Sequence, residues 1–248
     1  MKAATLYQFS LCPFCNKVRS GLELKGIPYQ LVDVNPRSKA ELPALPSAAP
    51  RKVPVLVAEG ETVWDSTEIL RFLARAYPNT PRFRPEDPAL RKRADEIEEW
   101  VDSELIRAIP TVIYGTWGEA GQAAKVVAKS SNFTRAQGLT VMLGGSVVMH
   151  FVAKRLLKQS GRKDGHAWVA ESLDRIEQWL GEQAFVCGDT LSIADVAIHG
   201  AFACVQEFPI YNSILARPRL RAWLSRMEEQ KRLVQRPAAG ASPLVASA

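Results

Sequence analysis

Cysteine and histidine are scarce in this 248-residue chain, four of the first and three of the second. Four cysteines are far too few for a disulfide-stapled scaffold and suit a reducing compartment, so a cysteine pair here needs a chemical reason. Cys187 and Cys204 stand well apart from Cys12 and Cys15, and the histidines are scattered, which argues against a structural zinc centre. Long hydrophobic runs are missing too. The longest uncharged stretch, Ala136–Ala153, has 18 residues. At 1.5 Å per residue that is about 27 Å of helix, the lower limit for a membrane span. Gln137, Thr140, Ser146 and His150 interrupt it, which makes it a helix of a helical bundle. Met1-Lys2 runs straight into a strand pattern, without a leader and its small-residue cleavage site, and the expectation is a cytoplasmic protein.

A single-sign charge field is also lacking. Lys plus Arg number 32 against 26 Asp plus Glu, a net charge of +6. The basic residues lie in short clusters such as Arg91-Lys92-Arg93 and are not interleaved with aromatics in one stripe, so a nucleic-acid interface is not expected. The excess suits anionic small molecules. With 47% hydrophobic and 23% charged residues, the chain is neither disordered nor fibrous. Its length allows one large fold or two modest ones.

The pattern along the chain predicts an N-terminal unit over residues 1–77 in the order βαβ, β-hairpin, helix. Ala3–Phe9 reads as a strand and is followed by a helix to about Lys25, in which Phe14, Val18, Gly21 and Leu22 face inward and Asn16, Lys17, Arg19 and Glu23 outward. Tyr29–Val34 is a second strand, Pro36–Leu45 a short irregular helical stretch, and Val53–Ala58 a strand buried on both faces. Glu59-Gly60-Glu61 turns into Thr62–Trp64, and Ser66–Tyr77 is helical. Prolines 78, 81, 85 and 88 mark a linker over 78–88. Residues 89–235 read as all helical, with helices over Leu90–Ile109, Thr134–Gln159, His166–Leu180, Ser192–Glu207 and Pro218–Leu233. Gly115–Gln122 reads as a loop, and 236–248 as a disordered tail.

Three segments carry chemistry. Cys12-Pro13-Phe14-Cys15 opens the first helix, whose unpaired amides and macrodipole favour a Cys12 thiolate, with Lys17 and Arg19 nearby. Cys12 is then an exposed nucleophile, and Cys15 a resolving thiol or a spectator. Arg51-Lys52-Val53-Pro54-Val55 starts a strand beside that loop. A cis peptide before Pro54 would turn the Val53 backbone toward an extended peptide ligand; the alternative is an ordinary strand-initiating proline. Trp64-Asp65-Ser66-Thr67-Glu68-Ile69 enters a helix with a capping box available between Asp65 and Glu68. There the Ser66 hydroxyl and the helix N-terminus can hold a carboxylate and Asp65 an ammonium group. A thiolate, a peptide-pairing backbone and a clamp for an amino-acid head group together describe a groove that fits glutathione. Cys187 and Cys204 lie in apolar contexts and read as core residues.

With CPFC, KVPVL and DSTEIL in this order, the first half resembles the glutaredoxin-like, thioredoxin-fold half of glutathione transferases. Gly188–Asp195 resembles the C-terminal motif of the same superfamily, with Ser192 capping a helix, Asp195 returning the bond, Leu191 and Val196 as a hydrophobic staple, and His199 a core residue. LYQFSLCPFCNKVRS, IPYQLVDVNPRSKAEL, RKVPVLV, HFVAKRLLK and LSIADVAIHG resemble most the type-2 prostaglandin E synthase family. The resemblance implies an α/β thioredoxin-like domain joined to an all-α helical domain. It implies Cys12 as the catalytic thiol with Cys15 as helper, and glutathione held by Phe14, Lys52, Val53, Pro54, Asp65 and Ser66. It further implies an electrophilic or disulfide second substrate, a homodimer and haem binding through the cysteine and glutathione. Phe9 stands where that family has a tyrosine, so the phenolic hydroxyl is missing, and the family's membrane anchor is not expected. An apolar substrate pocket would draw on Phe9, Phe14, Tyr114 and Phe133.

Overall fold

The computed structural model describes residues 4–36, 38–47, 49–78, 81–130 and 145–235. Five elements build the first half: β1 (Ala4–Gln8), α1 (Pro13–Leu24), β2 (Tyr29–Asp33), β3 (Val55–Ala58) and β4 (Glu61–Trp64), with α2 (Ser66–Ala76) closing it. The sheet order is β2-β1-β3-β4, with β1 parallel to β2 and antiparallel to β3, and β3 antiparallel to β4. Alternation in β1 buries Ala4, Leu6 and Gln8. β3 lies inside the sheet, and its Val55 and Leu56 have no exposed surface. Glu59 and Gly60, both at positive φ (51° and 83°), form the two-residue turn joining β3 to β4.

The second half is helical among the described residues: α3 (Pro88–Trp100), a π-helical turn (Val101–Leu105), α4 (Ile106–Ile113), α5 (Trp117–Ser130), α6 (Ser146–Ser160), α7 (Gly165–Leu180), α8 (Ile193–Ala203), α9 (Ile210–Leu215) and α10 (Pro218–Gln235). α1 is the common wall of the two halves, packed on α2 on one side and α8 on the other. One apolar cluster runs through both, from Leu6, Val18 and Leu22 through Phe72 and Phe83 to Ile97, Ile198 and Trp223. Each such buried Leu, Ile or Phe contributes about 1.5–3 kcal/mol by leaving water. The proline-rich connection is fastened down: Phe83 is fully buried, its carbonyl accepts from the Ile193 amide at 2.7 Å, and Lys25 Nζ donates to the Tyr77 and Pro81 carbonyls.

Several local expectations give way to longer-range forces. The described residues of Pro36–Leu45, 36 and 38–45, form turns and irregular chain and not a helix; the segment is proline-punctuated and Lys39 takes φ 51°. Gly115–Gln122 is not a loop: α5 begins at Trp117. Thr116 and Glu119 exchange capping bonds that outweigh the glycines, since the Thr116 amide donates to Glu119 Oε2 at 2.9 Å and the Glu119 amide to Thr116 Oγ1 at 3.2 Å. The Leu90–Ile109 helix is interrupted by the π-helical turn and continues through Pro110 to Ile113. The helix expected to end at Glu207 stops at Ala203. Lys17 and Asn16 do not face solvent; both are buried. Lys17 Nζ pairs with Glu98 and, at 2.9 Å, with both Asp102 oxygens, and donates to Thr67 Oγ1 at 3.2 Å. Its two carboxylate partners come from the helical half, which the periodicity of α1 does not register. Phe133, the start of the helix expected at Thr134 and the tail over 236–248 lie outside the described residues. No helix among the described residues is long and apolar enough to cross a membrane.

Candidate active site at one end of the sheet

Strand register brings the three segments together. Tyr7 of β1 pairs with Val55 of β3, and Val55 pairs with Trp64 of β4, so these residues form one row across the sheet. The chain leaves that row toward Cys12 after β1, enters it from Val53-Pro54 before β3, and leaves it at Asp65-Ser66 after β4. Parallel pairing places the end of β2 there too, with the Val34 amide donating to the Gln8 carbonyl at 2.8 Å.

Cys12 is the N-cap residue of α1 in extended conformation, half-buried, and no side chain caps this helix. Pro13 at the first helical position supplies no amide of its own. The Cys15 thiol, by hydrogen bonding to the Cys12 sulfur, holds the Cys12 thiol below its ordinary value; burial opposes this, and the Cys15 and Phe14 amides reinforce it. Cys15 has no exposed surface, and burial, with the neighbouring sulfur, pushes its thiol well up. The pair therefore divides its roles: Cys15 keeps its proton and lends it as a hydrogen bond, and Cys12 carries the charge. Lys17 has no part in this, its ammonium being held by Glu98 and Asp102.

A cavity of about 280 Å³ opens beside the sulfur, lined by Phe9, Cys12, Val34, Pro36, Lys39, Leu42, Lys52 and Val53. Cys12, Lys52 and Val53 thus share one wall. The Val53-Pro54 peptide is cis and Pro54 is buried behind it. Phe14 is half-buried against the core. Lys39, Val34 and Leu42 come from the loop after β2, a contribution the sequence pattern did not single out. Tyr114 is almost wholly buried and does not line this cavity.

Across the sheet, exposed Asp65 caps α2 by accepting from the Thr67 and Glu68 amides at 3.0 and 3.3 Å. The reciprocal bond of a capping box is not made; Glu68 pairs with Arg71 instead. Asp65 sits at φ 70°, a left-handed conformation a residue with a Cβ adopts only under constraint. Ser66 is buried at the first position of the helix. The start of α2 thus offers a carboxylate, the Ser66 hydroxyl and the Ser66 amide, the Thr67 and Glu68 amides being taken by Asp65.

The chain matches two models of one family: the N-terminal domain of glutathione S-transferase over residues 6–81 and the C-terminal domain over residues 151–231. The chain belongs to the glutathione S-transferase family. It is 23% identical to prostaglandin E synthase 2 of Danio rerio over 91% of this chain and 70% of that protein. It is 31% identical to glutathione S-transferase U6 of Arabidopsis thaliana over 38% of this chain and 42% of that one. Among solved structures, glutathione transferase F7 from Populus trichocarpa superposes with a TM-score of 0.62 at 16% identity, over 94% of this chain and 100% of that one. Maize glutathione S-transferase I, in complex with an atrazine glutathione conjugate, gives 0.61 at 18%, over 95% and 99%. The fold is therefore that of a glutathione transferase, a thioredoxin-like half and a helical half, and the chain is an enzyme of that family.

To a haem held through the cysteine, the cavity beside Cys12 would bring that one sulfur and no histidine. Among the described residues, no group of three or more His, Cys, Asp or Glu is placed to hold a metal ion.

Proposed function

We propose that this glutathione transferase catalyses thiol transfer through Cys12. The observation that carries the reading is a half-buried thiol, held below its ordinary value, at the same end of the sheet as the Val53-Pro54 strand entry and the Asp65-Ser66 start of α2. Glutathione, as substrate, would lie across the row. Its γ-glutamyl head suits the α2 N-terminus: the Ser66 hydroxyl and amide take the carboxylate, and Asp65 takes the ammonium group. Its cysteinyl backbone pairs with that of Val53, in the manner of an added strand. Its terminal carboxylate suits the cavity rim, where Lys39 and Lys52 supply positive charge.

The reaction runs in two exchanges. The Cys12 thiolate attacks the glutathionyl sulfur of a mixed disulfide, the S–S bond breaks, and the substrate leaves as a thiolate that takes a proton from water. Cys12 is now joined to glutathione by a disulfide. The thiolate of a second glutathione attacks the bound glutathionyl sulfur, oxidised glutathione leaves, and the Cys12 thiolate is regenerated. Cys15, protonated and enclosed, steadies the thiolate in both steps. A symmetric homodimer in a reducing compartment belongs to the same reading.

Cys12→Ser abolishes turnover of a glutathione mixed-disulfide substrate, while Cys15→Ser retains a substantial part and shifts the rate profile to higher pH. Because the reacting form is the thiolate and folding lowers its pKa, wild-type rates climb on the acidic side of the ordinary thiol value. Equal turnover by wild type and Cys12→Ser discards the mechanism. A second reading, glutathione-dependent isomerisation or conjugation of an apolar substrate, draws on the prostaglandin E synthase 2 relatives and the mostly apolar cavity. Phe9 brings no hydroxyl to that chemistry. A panel of electrophiles and peroxides, assayed with and without glutathione, separates the two.

A further inference from the structure

α8 lays one face against the start of α1. A Cβ on Gly200 would lie 2.3 Å from the Lys17 Cα and 2.5 Å from its backbone nitrogen, so the two helices meet there only because residue 200 is glycine. One turn later, at the C-cap of α8, Cys204 is 3% exposed and its Sγ lies 3.2 Å from the Leu11 carbonyl oxygen, to which it donates. From within α1, Asn16, also 3% exposed, donates Nδ2 to the Ser10 carbonyl at 3.0 Å and to the Cys12 carbonyl at 3.1 Å. The Phe9 carbonyl accepts from the Cys12 amide at 3.0 Å. All four carbonyls from Phe9 to Cys12 are thus bound to donors of the protein itself.

This matters for the loop that carries the Cys12 sulfur. A carbonyl dipole free to swing toward a thiolate opposes its charge, whereas one held by a donor cannot turn, and fixed dipoles need no reorganisation when charge develops. Cys204 is suited to holding and not to reacting: it closes the C-terminal end of α8, where the macrodipole disfavours a thiolate, and burial pushes its thiol far up, so the S–H donor persists.

We infer that Asn16 and Cys204 are positioning residues which, from α1 and from the helical half, fix the carbonyls of the Phe9–Cys12 loop and so hold the Cys12 sulfur in place for thiol exchange. The inference rests on the reading of Cys12 given above. By it, the helical half takes part in the chemistry without touching either reactant.

The test is alkylation of Cys12 by iodoacetamide across the pH range, read on the Cys12 peptide by mass spectrometry, in wild type, Cys204→Ala, Cys204→Ser and Asn16→Asp. The Cys204→Ala midpoint rises by roughly 0.5–1 pH unit, about 3- to 10-fold less thiolate on the acidic side. Asn16→Asp, which loses both donated bonds and adds a negative charge, rises further. Cys204→Ser keeps a donor and stays with wild type, which separates a directed bond from mere core packing. In turnover, the Cys204→Ala deficit appears in kcat at acidic pH and vanishes in alkali. A lowered wild-type midpoint that Cys204→Ala leaves unmoved overturns the positioning role alone. A wild-type midpoint at the ~8.5 of free cysteine overturns the reading of Cys12 and the positioning role together.

Discussion

The N-termini of α2 and α8 carry the same residue types, a serine with an acidic residue, and use them in opposite ways. At α8 everything is spent internally. Ser192 and Asp195 are wholly buried, and Asp195 accepts the Ser192 amide and hydroxyl at 2.9 and 2.7 Å, the Val186 amide at 3.1 Å and the Trp223 indole at 2.9 Å. At α2 the cap is half-made: Asp65 is exposed, its backbone is strained at φ 70°, and Glu68 turns away to Arg71. A helix end whose bonds are all satisfied ties a fold together; one left open at a strained residue is available to a ligand.

The strongest way to break this contrast is Asp195→Ala. Four donors lose their acceptor in a dry interior, at a cost of about 3–5 kcal/mol in denaturant unfolding, while the fraction still folded binds glutathione as before. A loss below about 1 kcal/mol would place Asp195 outside the structural role argued for it. Asp65→Gly reverses the pattern. Glycine accepts the left-handed backbone and is nearly as good a cap, so stability moves by a few tenths of a kcal/mol. Glutathione affinity, measured by calorimetry, falls by about 10-fold because the ammonium group loses its carboxylate. Unchanged affinity would remove Asp65 from the site. The smallest effect belongs to a bond between α8 and α10, inside the helical half. Neutral His199 donates Nε2–H to Glu228 at 3.1 Å and shares Nδ1 with the Ser20 hydroxyl at 2.9 Å. The His199 hydrogen bond holds Glu228 down to about 2, below its ordinary 4.5. A lowered carboxylate contributes stability that is complete above its unfolded value and fades as pH drops toward about 2. Glu228→Gln accordingly flattens the stability curve between about pH 5 and 2, and an unaltered acid limb would deny the coupling.

Much of the fold was legible because it is written in short-range patterns: alternation in β1, a proline opening α1, a two-residue turn at Glu59-Gly60, and helical spacing beyond residue 89. The core of the site was legible for the same reason, since its cysteines, proline and caps each follow a strand or open a helix. What escaped depends on distant partners. Lys17 reads as a surface residue until Glu98 and Asp102 arrive from the other half, and Cys204 reads as plain core until its sulfur meets Leu11. Lys39 sits in a stretch whose conformation no periodicity describes. The start of α5 is obscured for a local reason: its glycines have the composition of a loop, while the Thr116–Glu119 cap that starts the helix leaves a weaker mark.

The turn at Glu59-Gly60 lies at the far end of the hairpin from Cys12, yet it works as a ruler. By fixing how β4 folds back on β3, it determines that Trp64 comes opposite Val55 and hence that the Asp65 carboxylate emerges level with the Val53 backbone. Lengthening β4 by one residue would reverse its inward and outward faces and carry Asp65 about 3.4 Å along the strand, out of step with the thiol. If glutathione lies across this row as proposed, the span it must bridge is measured out by two residues that never approach it.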